Sequence, residues 1–254
     1  MVIKTGIISR VAFSIFGIDV YWYAIFITVA ILLGYIWAKV HDGRFNIKFD
    51  DIFDLSLFMI PIAFVCARLY YVAFNLDYYL SNPSQIIQLR NGGLAIYGGI
   101  IGAVVTIVIF CKIRKIKILD LMDYLAPTLC LGQAIGRWGN YINIEAYGTE
   151  TTGPIKMQIL ENGVTKYVHP TFLYESALNF ILFFILFKIS KKRRFSGQIA
   201  YLYLIGYAVI RFFVEGLRTD SLMLGSIRIS QALSLVIFIA ISVMYVVKTK
   251  KENM

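Results

Sequence analysis

Apolar positions gather into seven runs, at about 20–38, 52–74, 94–111, 119–135, 170–187, 198–217 and 229–247, separated mostly by short polar segments. A helix crossing a bilayer needs about 17–25 mostly apolar residues, and each run is of that order. The pattern predicts a single integral membrane domain over residues 1–254, an all-α polytopic protein with seven transmembrane helices. The fourth run is the least regular, because Asp120, Asp123 and Gln133 interrupt it.

The cations decide whether that fourth run is kept. With the amino terminus outside, the inner segments carry Lys39, Arg44 and Lys48; Lys112, Arg114, Lys115 and Lys117; Lys188, Lys191, Lys192, Arg193 and Arg194; and Lys248, Lys250 and Lys251. The outer segments carry only Lys4, Arg10, Arg90, Arg137, Lys156, Lys166, Arg218 and Arg228. This bias follows the positive-inside rule. Without the fourth span the cluster at 188–194 falls outside, so the parity requires all seven, with the amino terminus outside and the carboxyl terminus cytoplasmic. Residues 137–169 are then a small extracytoplasmic subdomain between spans four and five. The outer segment 75–93, with Asn82-Pro83-Ser84, has room for a short interfacial helix, and the moderately apolar residues 7–18 suit the interface as well. No internal repeat and no removable signal peptide are legible.

Composition agrees. Of 254 residues, 59 % are apolar and 16 % charged, against roughly 45–50 % and about 25 % in soluble domains, and the mean hydropathy is +0.71. That excludes a cytosolic enzyme, a disordered chain and a disulfide scaffold. The net charge of +10 would suggest nucleic acid in a soluble protein. Here the cations lie between apolar runs, and no nucleic-acid partner is expected. Cys66, Cys111 and Cys130 sit in apolar stretches and are odd in number. His41 and His169 are too few for a histidine-based metal centre on their own, and no Cys/His pair has zinc spacing, so no metal site is expected.

A central Arg or Asp in a membrane helix costs about 2.5–3.5 kcal/mol on insertion scales, so such residues are functional candidates. Tyr207, Arg211, Glu215 and Arg218 fall within about 80° of one helix face. Gly136, Arg137, Gly139, Asn140, Asn143, Glu145 and Gly148 crowd the outer end of span four. The glycines there admit close approach or unusual dihedrals, and Arg137 offers a planar fork suited to phosphate. Gly92-Gly93-Leu94-Ala95-Ile96-Tyr97-Gly98-Gly99 opens span three, where the glycines predict backbone packed against a ligand or another helix. His169-Pro170-Thr171-Phe172-Leu173-Tyr174-Glu175 opens span five, and Tyr23 and Arg68 lie at the same outer level. Arginines converging at headgroup depth suit an anionic phospholipid, and the density of polar groups favours an enzyme over a lipid transporter or a seven-helix receptor.

The segment Gly136-Arg137-x-Gly139-Asn140-x-x-Asn143-x-Glu145-x-x-Gly148 resembles the hallmark motif of the prolipoprotein diacylglyceryl transferases, and the His169-Pro170…Tyr174-Glu175 and Tyr207…Arg211…Glu215…Arg218 segments resemble that family's other blocks, in the same order. The resemblance covers essentially the whole chain. It implies a bacterial cytoplasmic-membrane enzyme with its site toward the outer leaflet. Such an enzyme moves a diacylglyceryl group from phosphatidylglycerol to the lipobox cysteine thiol of a prolipoprotein, forming a thioether and releasing glycerol phosphate without a cofactor. Under that reading Arg137, Arg211 and Asn140 stabilise the departing phosphate, with Tyr97, Glu145 and Glu215 as the other candidate catalytic groups. Asn143, Gly98, Gly99, Tyr23, Tyr207 and Arg218 join Arg137, Arg211 and Asn140 in binding phosphatidylglycerol. Gly136, Gly139, Gly148, His169, Tyr174, Glu175 and Arg68 have structural or orienting roles. Many family members carry His where this chain has Tyr97. An unperturbed tyrosine, with a pKa near 10, is a poor base at neutral pH. The proton acceptor is therefore open between Tyr97 and a carboxylate, with orientation of Arg211 the first role for Glu215.

Overall fold

A computed structural model describes residues 1–6, 8–88 and 92–252; Arg90, counted above among the outer cations, lies outside them. The chain divides into two compact units, Met1–Trp37 with Met122–Met254, and Ala38–Leu121.

The larger unit carries the strands and most of the helices. Strand β1 (Val2–Lys4) is followed by β2 (Val11–Ile15) and β3 (Ile18–Tyr21), and β3 runs directly into α1 (Trp22–Val40). Of residues 7–18, read as suited to the interface, position 7 lies outside the described residues and 11–18 fall in an antiparallel hairpin that continues to Tyr21. Its turn, Phe16-Gly17, has both residues at positive φ, as a two-residue hairpin turn of matching twist demands.

The smaller unit holds the next three helices. There α2 (Phe49–Ala73) packs on α4 (Ile96–Arg114), with α3 (Leu76–Ser81) and a 3₁₀ turn (Pro83–Ile87) between them in sequence. A Cβ on Gly98 would overlap the Cys66 carbonyl and come within 2.5 Å of Tyr70 Cβ; one on Gly102 would lie 2.8 Å from Cys66 Cβ. These glycines bring two backbones together, as small residues do between membrane helices. Arg68, almost wholly buried, donates to the carbonyls of Gln85, Ile86, Gly92 and Gly93 at 2.6–2.8 Å. It ties these four residues back to α2. The short helix expected in 75–93 is present as α3.

Helix α5 (Ile118–Asn143), which lies in the larger unit from Met122 onward, leads to a sheet in which β4 (Lys156–Glu161) pairs antiparallel with β5 (Val164–Val168) and parallel with β1. Then come α6 (Thr171–Ser190), α7 (Gln198–Leu217), a two-residue hairpin of β6 (Met223–Leu224) and β7 (Ile227–Arg228), and α8 (Ile229–Glu252). The protein is mostly helical, and the three small sheets among the described residues correct the all-α expectation. Ala126 and Cys130 of α5, Leu182 and Leu186 of α6, and Ile199, Ile210 and Val214 of α7 form one core. Met157, Ile159, Val168 and Phe172 form a second under the sheet.

Among the described residues six helical segments are long and apolar enough to cross a membrane, and α5 is not one of them. At 26 residues it measures about 39 Å, so length is not the obstacle. Its charged and amide side chains are. The helix also continues to Asn143, eight residues past the expected end, because the residues of the Gly-Arg-Trp-Gly-Asn segment hold helical geometry.

The sheet permits a pH prediction. Lys166 Nζ donates to Glu161 Oε2 at 2.7 Å. Hydrogen bonding and charge from Lys166 hold the Glu161 carboxyl below its ordinary 4.5, and Glu161 in turn raises Lys166 above 10.5. The Glu161 contribution is complete above its ordinary value and lost as pH falls through the lowered one. The Lys166 contribution is complete below 10.5 and lost as pH rises through the raised one. Amide-exchange protection of β4–β5, corrected for intrinsic exchange, should be level from about pH 5 to about pH 10 and fall at both ends. A Glu161→Gln variant should lose the acid-side fall.

Candidate active site

Three helices of the larger unit deliver the site. Arg137 and Asn140 stand on the last two turns of α5, Glu175 on the first turns of α6, and Tyr207, Arg211 and Glu215 along α7, with Arg218 just beyond it. Glu175 is the hub. It is 1 % exposed. Its Oε1 accepts from Arg137 Nη2 at 2.6 Å and from the Tyr207 hydroxyl at 3.3 Å, and its Oε2 lies 3.6 Å from Arg211 Nη1. One carboxylate on α6 thus gathers groups from two other helices, α5 and α7, more than the orienting role its position in the sequence suggested.

The stripe expected on α7 is present. Arg211 Nη2 lies 2.5 Å from Glu215 Oε2, and Arg218 Nε lies 3.9 Å from the same oxygen. Arg218 also grips Asp220 with two bonds of 2.9 and 2.7 Å. Arg218 thereby holds the Asp220 carboxyl below the usual carboxylate range. Asp220 was not singled out from the sequence, nor was Arg228, whose guanidinium donates to the Glu215 carbonyl. Their short distance along the chain from Arg218 and Glu215 was the available signal. Arg211 Nη1 is buried with no hydrogen-bond partner among the described residues. A donor so placed costs free energy until an acceptor arrives.

At the end of α5, Arg137 Nη1 donates to Asn140 Oδ1 at 3.1 Å, and Asn140 Nδ2 donates to Glu145 Oε1 at 2.7 Å. Asn143 Nδ2 reaches the same oxygen at 3.3 Å, and Arg10 donates to the Asn143 carbonyl at 2.9 Å. The backbone strain expected of the glycines falls instead on Ile144 and Ala146, at φ 55° and 56°. A β-branched residue there is an outlier of the kind that marks functional loops. It turns Glu145 back toward Asn140. Gly139 and Gly148 serve close approach: a Cβ on the first would overlap the Tyr23 ring, and one on the second would lie 2.7 Å from His169 Cβ. Gly136 has no neighbour within 4 Å of such a Cβ, so close packing does not account for it.

Gly148 donates to the His169 carbonyl at 3.0 Å, His169 Nδ1 lies 3.3 Å from the Tyr174 hydroxyl, and Thr171 Oγ1 donates to the Ala146 carbonyl. This block fastens the strained loop to the start of α6. Arg137, Asn140, Ala146, Thr171, Phe172, Glu175 and Arg218 line a narrow cleft. Tyr97, Gly98, Gly99 and Arg68 belong to the smaller unit. Tyr97 is 53 % exposed, with its ring 6.5 Å from that of Tyr70; Gly98 is in contact with α2, and Arg68 is engaged by the carbonyls of Gln85, Ile86, Gly92 and Gly93.

A carboxylate-braced set of arginines, one with a buried Nη1 that makes no hydrogen bond, can meet an anion. Comparison with known proteins agrees with the motif. The family model described as prolipoprotein diacylglyceryl transferase matches residues 10–247. The chain is 51 % identical over 245 residues to the phosphatidylglycerol–prolipoprotein diacylglyceryl transferase of Finegoldia magna, covering 96 % of this chain and 97 % of the relative. It is 47 % identical to the enzyme of that name from Clostridium novyi, over 96 % and 97 % of the two chains, and 45 % identical to that from Clostridioides difficile, over 96 % and 98 %. On the motif, its setting and these relatives, the chain belongs to the prolipoprotein diacylglyceryl transferase family.

Proposed function

We propose that the protein transfers the diacylglyceryl group of phosphatidylglycerol to the cysteine thiol of a prolipoprotein lipobox. The observation that carries this reading is the Arg137–Glu175–Arg211 cluster in a chain of this family. The thiol sulfur attacks the glyceryl carbon that bears the phosphodiester. A C–S bond forms, the C–O bond breaks, and glycerol phosphate leaves with the electron pair. Charge grows on the departing phosphate, and fixed cations and donors aimed at it lower the barrier most. Arg137 and Arg211 are those cations, Asn140 is a neutral donor beside them, and Tyr207 and Arg218 complete the headgroup surroundings. Glu175 and Glu215 hold the arginines in place before the lipid arrives.

The thiol proton goes to a base. Nearby guanidinium charge favours the thiolate, so the acceptor need not be strong. Glu145, exposed and already accepting from two asparagines, is the carboxylate of choice, with the Tyr97 hydroxyl as a hydrogen-bond donor to substrate. On this assignment Tyr97→Phe lowers kcat about tenfold, the loss of one useful hydrogen bond, with the insertion of the protein unchanged. Undiminished turnover would remove Tyr97 from the reaction.

The proposed setting is a bacterial cytoplasmic membrane crossed seven times, with α5 as the fourth span, the amino terminus outside and the site toward the outer leaflet. Its supports are the excess of Lys and Arg on one side and the polar residues of α5 turned into the larger unit's interior. The test is mass spectrometry of a lipobox peptide incubated with the purified protein and phosphatidylglycerol vesicles. The expected product is a diacylglyceryl increment on the peptide cysteine, absent from a Cys→Ser peptide. A peptide left unmodified by folded protein would overturn the reading.

A further inference from the structure

Asp123 breaks the apolar run of α5, and the transfer chemistry makes no use of it. Its side chain is fully buried. Oδ2 accepts from Gly197 N at 2.7 Å and from Arg193 Nη1 at 2.9 Å, while Oδ1 accepts from Ala200 N at 2.8 Å. Gly197 precedes α7 in left-handed geometry (φ 95°), and its own side chain cannot cap the helix. The first amides of a helix have no partner within it, and the helix dipole favours negative charge at that end. Asp123 is therefore the cap of α7, supplied from another helix. A Ser or Asp in place of Gly197, the N-cap position, would satisfy an amide of the same turn. Only a cap borne by α5 also fixes α5 against α7.

The level at which it does so is telling. Fourteen residues separate Asp123 from Arg137 on α5, and fourteen separate Gly197 from Arg211 along α7. At 1.5 Å per residue both intervals are about 21 Å. Glu175 of α6 bridges the two helices again at their far ends, 2.6 Å from Arg137 and 3.6 Å from Arg211. Contacts at matching ends make the helices parallel and in register. A slip of one residue would shift Arg211 by about 1.5 Å and turn it by about 100°, away from the carboxylate it shares with Arg137.

We propose that Asp123 is a positioning residue for transfer: by capping α7 from α5 it sets the register that places Arg137 and Arg211 about one carboxylate. This rests on the transferase reading. The test uses full-length protein, phosphatidylglycerol vesicles and a lipobox peptide, with the folded fraction measured beside each rate. Asp123→Ala should lower kcat about tenfold or more with KM for phosphatidylglycerol changed less than about twofold, since small misplacements are costly in rate. Asp123→Asn, which keeps one acceptor oxygen, should show a smaller loss of the same kind, and it carries the prediction if the alanine variant does not insert. Arg193→Ala, which leaves both backbone amides capped, should stay within about threefold of wild type. An Arg211→Lys background separates positioning from a loss of folded enzyme. Acting through Arg211, the Asp123 substitution should cost less than about threefold there. A repeat of the full loss in that background, or wild-type kcat in Asp123→Ala, overturns the proposal. Wild-type protein that transfers nothing would overturn the transferase reading instead.

Discussion

Arg137→Ala lowers diacylglyceryl transfer by about 10²–10³-fold or more, the scale found when one preorganised donor to a developing oxyanion is removed, while the protein still inserts and folds. The expectation rests on where the guanidinium stands. One end is held by Glu175 at 2.6 Å and by Asn140 at 3.1 Å, so its remaining donors are aimed without further ordering. Arg137→Lys should fall well short of rescue, because an ammonium is a point charge and cannot hold Glu175 and Asn140 while presenting a planar fork to phosphate. The rate of thioether formation on a lipobox peptide, in vesicles with saturating phosphatidylglycerol, is the measurement. Arg137→Ala at wild-type rate would remove the clamp from the mechanism.

Glu175→Ala has the largest expected effect on stability. Two arginines and a tyrosine depend on this carboxylate, and breaking a buried ion pair by removing one partner costs about 3–5 kcal/mol. For a chain of this size that corresponds to a fall in Tm of about 10 °C, and transfer should be lost with it. Glu175→Gln keeps the volume and one acceptor oxygen. It should recover much of the Tm and little of the rate, because a neutral amide no longer fixes both arginines. Thermal unfolding in detergent, paired with the peptide assay, checks the split. Equal recovery of both would reduce Glu175 to a packing role.

The helices were legible from the sequence because a membrane helix is written in a single local variable, a long enough run of apolar side chains. The run at 198–217 has the bounds of α7, and five others agree with a helix to within about five residues at each end, whereas α5 runs eight residues past the fourth. The stripe on α7 was legible for the same reason, since periodicity fixes which residues share a face. The centrality of Glu175 was not. It depends on α5 and α7 meeting α6, and no local pattern carries that. Asp123 looked like a flaw in a span for the same cause: the helix it caps begins 75 residues later. The strands show the other kind of miss. Asn162-Gly163 between alternating residues is a strong hairpin signal, but a 30-residue outer segment between apolar runs was read for its length and not for its pattern. In the Gly/Asn motif, glycine content pointed to the right loop and to the wrong residues, because Ile144 and Ala146 took the left-handed conformations.

The amino terminus has to wait for its partner. Val2 pairs with Lys156 in the parallel register of β1 and β4, so the first strand made cannot find its place until most of the chain exists. At about 5–20 residues per second the delay is on the order of ten to thirty seconds. During it three apolar helices emerge, while β1 stays an unpaired edge. Biogenesis therefore runs opposite to the order of synthesis at this one point: helices can enter the bilayer one by one, but the sheet closes only after β4 has been made. A nascent chain halted before residue 156 should keep its first residues open to protease, however well its helices are embedded.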